Sequence, residues 1–207
     1  VMEAENSLYG DISFSKNNVK SLSIKSGDLN LLNKEQLQEA LSSDLYVVFG
    51  ASYIKGWLID HLVNHKAINI HMGLSPYYRG SSCNFWALYD NKPEYVGSTI
   101  HLLSKGLDSG PMLYHAVPNL KNSNPFEFTM KSVEAAQQSL VERISTKQIF
   151  EFIPQNQDKT QEIRYTRNSD FTDSVAEEFL NRNLKNSDIA NLINEATKPS
   201  LLLPFYY

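Results

Sequence analysis

Among the 207 residues there is one cysteine, Cys83. A single thiol cannot close an intramolecular disulfide, and without a Cys-x-x-Cys pair no thiolate zinc site or dithiol redox centre is expected. A reducing, cytoplasmic setting fits that economy. Long apolar runs are also missing: none approaches the ~20 residues of a bilayer-spanning helix, so no membrane partner is expected. A basic surplus is absent as well, with 19 Lys and Arg against 23 Asp and Glu and a net charge of -4. Proteins that hold nucleic acid by its phosphates usually carry the opposite balance, so a nucleic-acid partner is not expected. There is no Gly-x-Gly-x-x-Gly and no Walker sequence, which takes away motif support for a nucleotide-dependent oxidoreductase. The opening Val1-Met2-Glu3-Ala4-Glu5-Asn6 has neither a basic start nor an apolar core, so it is not read as a signal peptide. It also begins without an initiator methionine, as a fragment would.

What is present is an ordinary globular composition, 42% hydrophobic and 20% charged. The length suits one well-cored domain with a small appendage. The first ~20 residues are polar and weakly patterned. A short strand is expected over Leu22 to Ile24, followed by a turn at Ser26-Gly27-Asp28. Asn33 can cap a helix reaching Leu41. The apolar run Leu45-Tyr46-Val47-Val48-Phe49 reads as a strand buried on both faces. A helix over Lys55 to Asn64 and a second buried strand, Ala67 to Ile70, complete a βαβ unit. Beyond a loop from Leu74 to Gly80, a helix spans Cys83 to Tyr89, and strands cover Tyr95 to Leu103 and Met112 to Val117. The clearest helix begins at Asn124, with Pro125 at its first position and Glu127 completing a capping box. Phe126, Met130, Val133, Leu140 and Ile144 form its expected core stripe. After Pro154, residues 155–161 read as a polar linker, followed by helices near Val175 to Leu180 and Asp188 to Ala196. The apolar tail Leu201 to Tyr207 needs burial or a partner. The fold class is therefore α/β with a mostly parallel central sheet. Its domain spans residues 1–154, and residues 155–207 form a short, mainly helical C-terminal extension.

The chemistry-bearing residues gather between Asn69 and Gly110. Asn69 and His71, at i and i+2, leave a strand on the same face. They stand at the carboxyl end of a strand, where α/β sheets place ligands. Asp108 lies in a loop flanked by Gly106 and Gly110, and glycines let backbone approach a ligand closely. Taken singly, Asn-x-His is a common pair and an aspartate beside glycine more often caps a turn.

Four segments in order resemble the folate-dependent formyltransferase family: Asn69-Ile70-His71, Leu74-Ser75-Pro76-Tyr77-Tyr78-Arg79-Gly80, Gly97-Ser98-Thr99-Ile100-His101, and Leu107-Asp108-Ser109-Gly110-Pro111. The resemblance covers roughly residues 45–144. It implies a Rossmann-like fold, a catalytic triad of Asn69, His71 and Asp108, and 10-formyltetrahydrofolate as formyl donor. It further implies that the pterin enters between Gly50-Ala51-Ser52-Tyr53-Ile54 and the loop holding Lys105, Gly106 and Leu107. Acceptor contacts are expected from Ser75, Tyr77, Tyr78, Arg79 and Gly80, in a segment that departs from the family's usual Pro-Ser-Leu-Leu-Pro. Residue types suit the reaction, because an amide and an imidazole can stabilise the oxyanion that forms when an amine attacks the formyl carbon. Asp108 can orient the imidazole and take the amine proton.

The family usually has more chain before the strand at Leu45. The sequence therefore reads as N-terminally truncated, with an exposed sheet edge that a homodimer could cover. A small amine is the expected acceptor, with a nucleotide-linked amino sugar favoured over methionyl-tRNA or glycinamide ribonucleotide. A non-catalytic binding module of the same fold is the competing class. His61 and His65, at i and i+4, have the spacing of zinc ligands, but Leu62 stands where a zinc protease needs glutamate. No metal is expected.

Overall fold

The computed structural model describes residues 2–10, 19–119 and 124–207. Its regular elements are α1 (Met2–Tyr9), α2 (Gln38–Leu41), β1 (Val47–Phe49), α3 (Gly56–Asn64), β2 (Ile68–His71), β3 (Tyr78–Gly80) and α4 (Cys83–Tyr89). They continue with β4 (Ser98–Leu102), β5 (Met112–Val117), α5 (Pro125–Ser145), β6 (Arg164–Thr166), α6 (Asp173–Asn181), α7 (Asn186–Glu195) and β7 (Phe205–Tyr206).

The central sheet runs β1-β2-β4-β5-β7. β1 lies parallel to β2 and β7 parallel to β5, while β4 is antiparallel to both its neighbours. The α/β class read from the sequence holds. α5 covers one face of this sheet, and the small residues Ser132, Ala135, Ala136 and Ser139 are all completely buried. Small side chains there let the helix axis come close to β4 and β5, leaving room for Ile100 and Tyr114, also at 0% exposure.

That packing corrects the stripe expected for α5. Its buried side is Phe128, Ser132, Ala135, Ala136, Ser139, Leu140 and Arg143. Phe126, Met130 and Val133 are rotated off it and only half-buried. Apolarity pointed to the larger residues, whereas the sheet selects small ones because the approach is close. The N-terminus of α5 matches its reading: Asn124 accepts hydrogen bonds from the Phe126 and Glu127 backbone, and Glu127 accepts one from Asn124 N.

Other expectations shift. Leu22 to Ile24 carry no strand and are exposed. Asn33 and Gln36 do form reciprocal side-chain to backbone hydrogen bonds of 2.9 Å, but turns follow, and α2 begins only at Gln38. β1 is not buried on both faces, since it is an edge strand with Val47 and Phe49 more than 40% exposed. Part of the polar start is the helix α1, whose Ala4 is buried; residues 11–18 of that stretch lie outside the described residues.

The stretch after Pro154 is more than a linker with helices. Gln155 exchanges two backbone hydrogen bonds with Met112, β6 pairs with β3, and the tail supplies β7 to the central sheet. Arg164 holds β6 in place through a two-pronged ion pair to Asp90 at 2.7 and 2.9 Å. A backbone that pairs with strands distant in sequence leaves no local periodicity to read. Among the described residues no helix is long and apolar enough to cross a membrane.

Candidate active site

β2 carries Asn69 and His71, both nearly buried at 9% and 5% exposure. The register of β2 against β4 sets Asn69 opposite His101 and His71 opposite Thr99. Asp108 arrives from the loop joining β4 to β5, with φ at +43°. A non-glycine residue in that left-handed region is uncommon and strained, and it persists only where surrounding contacts hold it.

Those contacts are on hand. The Gln157 side-chain amide donates to Asp108 O at 2.8 Å and to Gly110 O at 2.9 Å. Inside the loop, the Ser104 hydroxyl donates to Gly106 O and lies 3.0 Å from the Ser109 hydroxyl. Gly110 is pressed against β4, where a Cβ would overlap the Leu102 carbonyl oxygen.

The three residues picked out by the sequence meet. The Asn69 amide donates to Asp108 Oδ1 at 3.3 Å, and His71 Nδ1 lies 3.5 Å from Asp108 Oδ2. On its other side His71 Nε2 is 3.4 Å from Tyr78 O and 3.6 Å from Cys83 Sγ. The imidazole therefore has an oxygen acceptor within reach of each nitrogen. Burial pushes the Cys83 thiol pKa well above its usual value, with Asp108 adding to the effect, so the sulfur stays protonated.

His101, at the end of the Gly97-Ser98-Thr99-Ile100-His101 segment, is a fourth member of the cluster. Its Nδ1 lies 2.8 Å from Leu102 O, and Asn69 Nδ2 lies 3.0 Å from its Nε2. Burial depresses its pKa to about 4, so the ring is neutral at physiological pH. With the proton on Nδ1 for Leu102, Nε2 must accept, which fixes the Asn69 side chain with its NH₂ toward His101 and Asp108. Gln157 is a fifth participant. Its segment shows only polar composition, and nothing local announces that it closes on the Asp108 loop.

Two cavities flank this cluster. A small one, about 70 Å³, lies between residues 51–54 and 103–108 and is lined in part by Asn69 and Asp108. Ala51, Ser52, Tyr53, Ile54, Gly106 and Leu107, the residues expected to meet the pterin, line it. Gly50 adopts φ of +61° at the turn into it. Lys105 stays outside, paired with Asp60 at 2.6 Å, while its carbonyl accepts from the Tyr53 hydroxyl at 3.1 Å and ties the two loops together. The second cavity, about 440 Å³, has His71, Gly80 and Cys83 in its wall.

Of the expected acceptor residues all but Gly80 line neither cavity; Tyr77, Tyr78 and Arg79 are engaged within the protein, whereas the buried Ser75 hydroxyl has no hydrogen-bond partner among the described residues. Ser75 is fully buried, and its backbone N–H donates to Thr99 Oγ1 at 2.8 Å. Tyr77 donates to Ser200 O and Tyr78 to Asp90, each at 3.0 Å. Arg79 is paired with Glu162 at 2.9 Å. The His61 and His65 rings stack at 4.0 Å between centroids, and His65 Nδ1 lies 2.7 Å from His61 O. Among the described residues no group of three or more His, Cys, Asp or Glu could hold a metal ion.

Comparison with known proteins gives this geometry its relatives. A family model described as formyl transferase matches residues 20–144. The methionyl-tRNA formyltransferase of Clostridium tetani is 29% identical over 167 residues, covering 80% of this chain and 52% of its own length. That of Thermosynechococcus vestitus is 38% identical over 78 residues, covering 38% of this chain and 23% of its own. The chain thus spans about half or less of the length of these curated relatives. Among solved structures, the formyltransferase PseJ from Anoxybacillus kamchatkensis superposes with a TM-score of 0.55 at 20% identity, covering 94% of this chain and 93% of that one. With the matched segment carrying β1 through most of α5 and the whole Asn69–His71–Asp108 cluster, the chain belongs to the formyl transferase family.

Proposed function

We propose that this protein transfers a formyl group from 10-formyltetrahydrofolate to the amine of a small acceptor. The observation that carries the reading is the cluster of Asn69, His71 and Asp108, in mutual contact and set between two cavities.

The residues around the smaller cavity fit a flat heterocycle. Val48, Ile54 and Leu103 give it apolar walls, and the loops at residues 51–53 and 104–107 offer backbone groups. Its volume of about 70 Å³ accommodates only part of a bicyclic ring, so entry requires the Tyr53–Lys105 tie to loosen. When bound there, the donor supplies an activated formyl carbonyl. Asn69 and His71 then donate to the oxygen on which charge develops, Asn69 by releasing Asp108 Oδ1 and His71 by turning Nε2 from Tyr78 O, in a site where burial strengthens each hydrogen bond. Asp108 holds His71 through Nδ1 and accepts the proton released by the attacking amine, directly or through water. No nucleophilic side chain is needed, in keeping with a Cys83 thiol that burial holds protonated.

For the acceptor, a nucleotide-linked amino sugar is favoured; PseJ is solved in complex with the nucleotide-linked formamido sugar UDP-4,6-dideoxy-4-formamido-L-AltNAc and tetrahydrofolate. Residues 1–154 form the catalytic domain, and residues 155–207 extend it by bracing the Asp108 loop through Gln157. The exposed Val47 and Phe49 on edge strand β1 suit a homodimer contact. The single unpaired thiol suits the cytoplasm.

Incubation with 10-formyltetrahydrofolate and a panel of amine acceptors, following tetrahydrofolate release, tests the reading. Release with one acceptor and not with the others supports it. Absence of both release and folate binding defeats it.

A further inference from the structure

The 440 Å³ cavity beside His71 has a composition that the proposed reaction does not account for. It lies between α4, α5 and α6. Among the described residues that line it there is no Lys, Arg, Asp or Glu, and most of the wall is hydrocarbon or aromatic. Phe85 and Leu88 come from α4, Met130 and Val133 from α5, and Phe171 and Phe179 from α6 and the turn before it. His71 and Cys83, at 5% and 1% exposure, form its buried end, whereas Phe171 and Leu180, at 43% and 58%, stand at its rim. The half-buried Phe126, Met130 and Val133, displaced from the core stripe of α5, face this space. Large apolar side chains kept off the core and turned to a cavity need another apolar occupant.

We propose that this cavity binds a hydrocarbon substituent of the acceptor, an alkyl or acyl chain, with the acceptor amine presented at His71. The choice of occupant follows from position. A surface for another protein would not end on a buried imidazole that contacts Asp108, while a substrate pocket must reach the reacting centre. The diphosphate of any nucleotide-linked acceptor stays outside, because no cation among the described residues lines the cavity to balance it. Naming the occupant as part of the acceptor rests on the formyl-transfer reading; the preference for an apolar ligand does not.

The test is calorimetric titration of the whole chain with primary n-alkylamines from butylamine to octylamine, without folate. Burying each methylene contributes about 0.8 kcal/mol, so affinity is expected to rise about fourfold per carbon until the cavity is full. Ala176→Trp and Met130→Trp each place an indole in the space. Either change should abolish the chain-length gain while tetrahydrofolate binding, followed by fluorescence, stays as in the parent protein. A flat chain-length series overturns the proposal. So does a gain that survives in both filled variants, or one that tracks dissociation of a dimer in sedimentation. Loss of folate binding in the parent, with the chain-length gain intact, would defeat formyl transfer and leave the apolar site standing.

Discussion

Replacing Gly110 by alanine tests how the Asp108 loop is held. A Cβ on Gly110 would overlap the Leu102 carbonyl oxygen, and it would come 2.9 Å from that group's carbon and 3.0 Å from His101 Nδ1. The obstacle is backbone in the middle of the sheet, so no rotamer change relieves it. The loop must lift from β4 instead. Four contacts then suffer together: Leu102 O loses its fit with His101 Nδ1, Gly110 O leaves Gln157, and Asp108 withdraws from both His71 and Asn69. A misplacement on the order of 1 Å at a reacting group costs about 100-fold in rate, and forced overpacking costs about 1–3 kcal/mol of stability. Gly106→Ala is the control. Its Cβ would meet only the Ser109 side chain, whose hydroxyl can rotate away; because Gly106 also lines the smaller cavity, the comparison is made at saturating donor, where kcat within a few-fold of the parent is expected. Formyl transfer and thermal melting measured on both variants decide the matter. Near-parental turnover in a folded Gly110→Ala, or equal losses in the two variants, refutes the claim that the Gly110–Leu102 contact sets the Asp108 position.

His71→Ala and Asp108→Asn are each expected to lower turnover at least about 100-fold while the melting temperature changes little; near-normal rates in either would remove that residue from the chemistry. Gln157→Leu deletes two hydrogen bonds to the Asp108 loop, each contributing about 1 kcal/mol. It should reduce kcat about tenfold with tetrahydrofolate binding retained, and an unchanged kcat would show that the loop needs no clamp. Stability should fall as pH drops from about 6.5 to 4. Burial holds the folded His101 pKa at about 4, so across that window the unfolded chain takes up a proton that the folded chain refuses. The loss is on the order of 3 kcal/mol at the acid end, and His115, also lowered by burial, acts in the same sense. Chemical denaturation at pH 7.5 and 4.5 reads it, and an unchanged slope in His101→Gln would exclude this histidine as the source.

Asn69 and His71 were legible because their relation is local. Two residues apart on one strand, they share a face wherever that strand lies, and Asp108 came with them through the family's recurring segments. His101 stands just as close to the chemistry, but its place depends on register: it touches Asn69 because β4 pairs antiparallel with β2 at that residue, with a bulge between Ile100 and His101. No stretch of sequence encodes the register by itself. The same holds for Gln157, which reaches the loop only after Gln155 has paired with Met112, and for α5, where the sheet favoured Ala135 and Ala136 over Met130 and Val133. In each case the missing information is a distance between segments far apart in the chain, decided by packing rather than by periodicity. The candidate catalytic residues can thus be found from their order, whereas those that would aim them emerge only when the chain has folded. This asymmetry also explains the apolar cavity. The side chains that α5 could not fit against its sheet are the ones that line it, so the pocket beside His71 is a consequence of the close approach that buries Ala135 and Ala136.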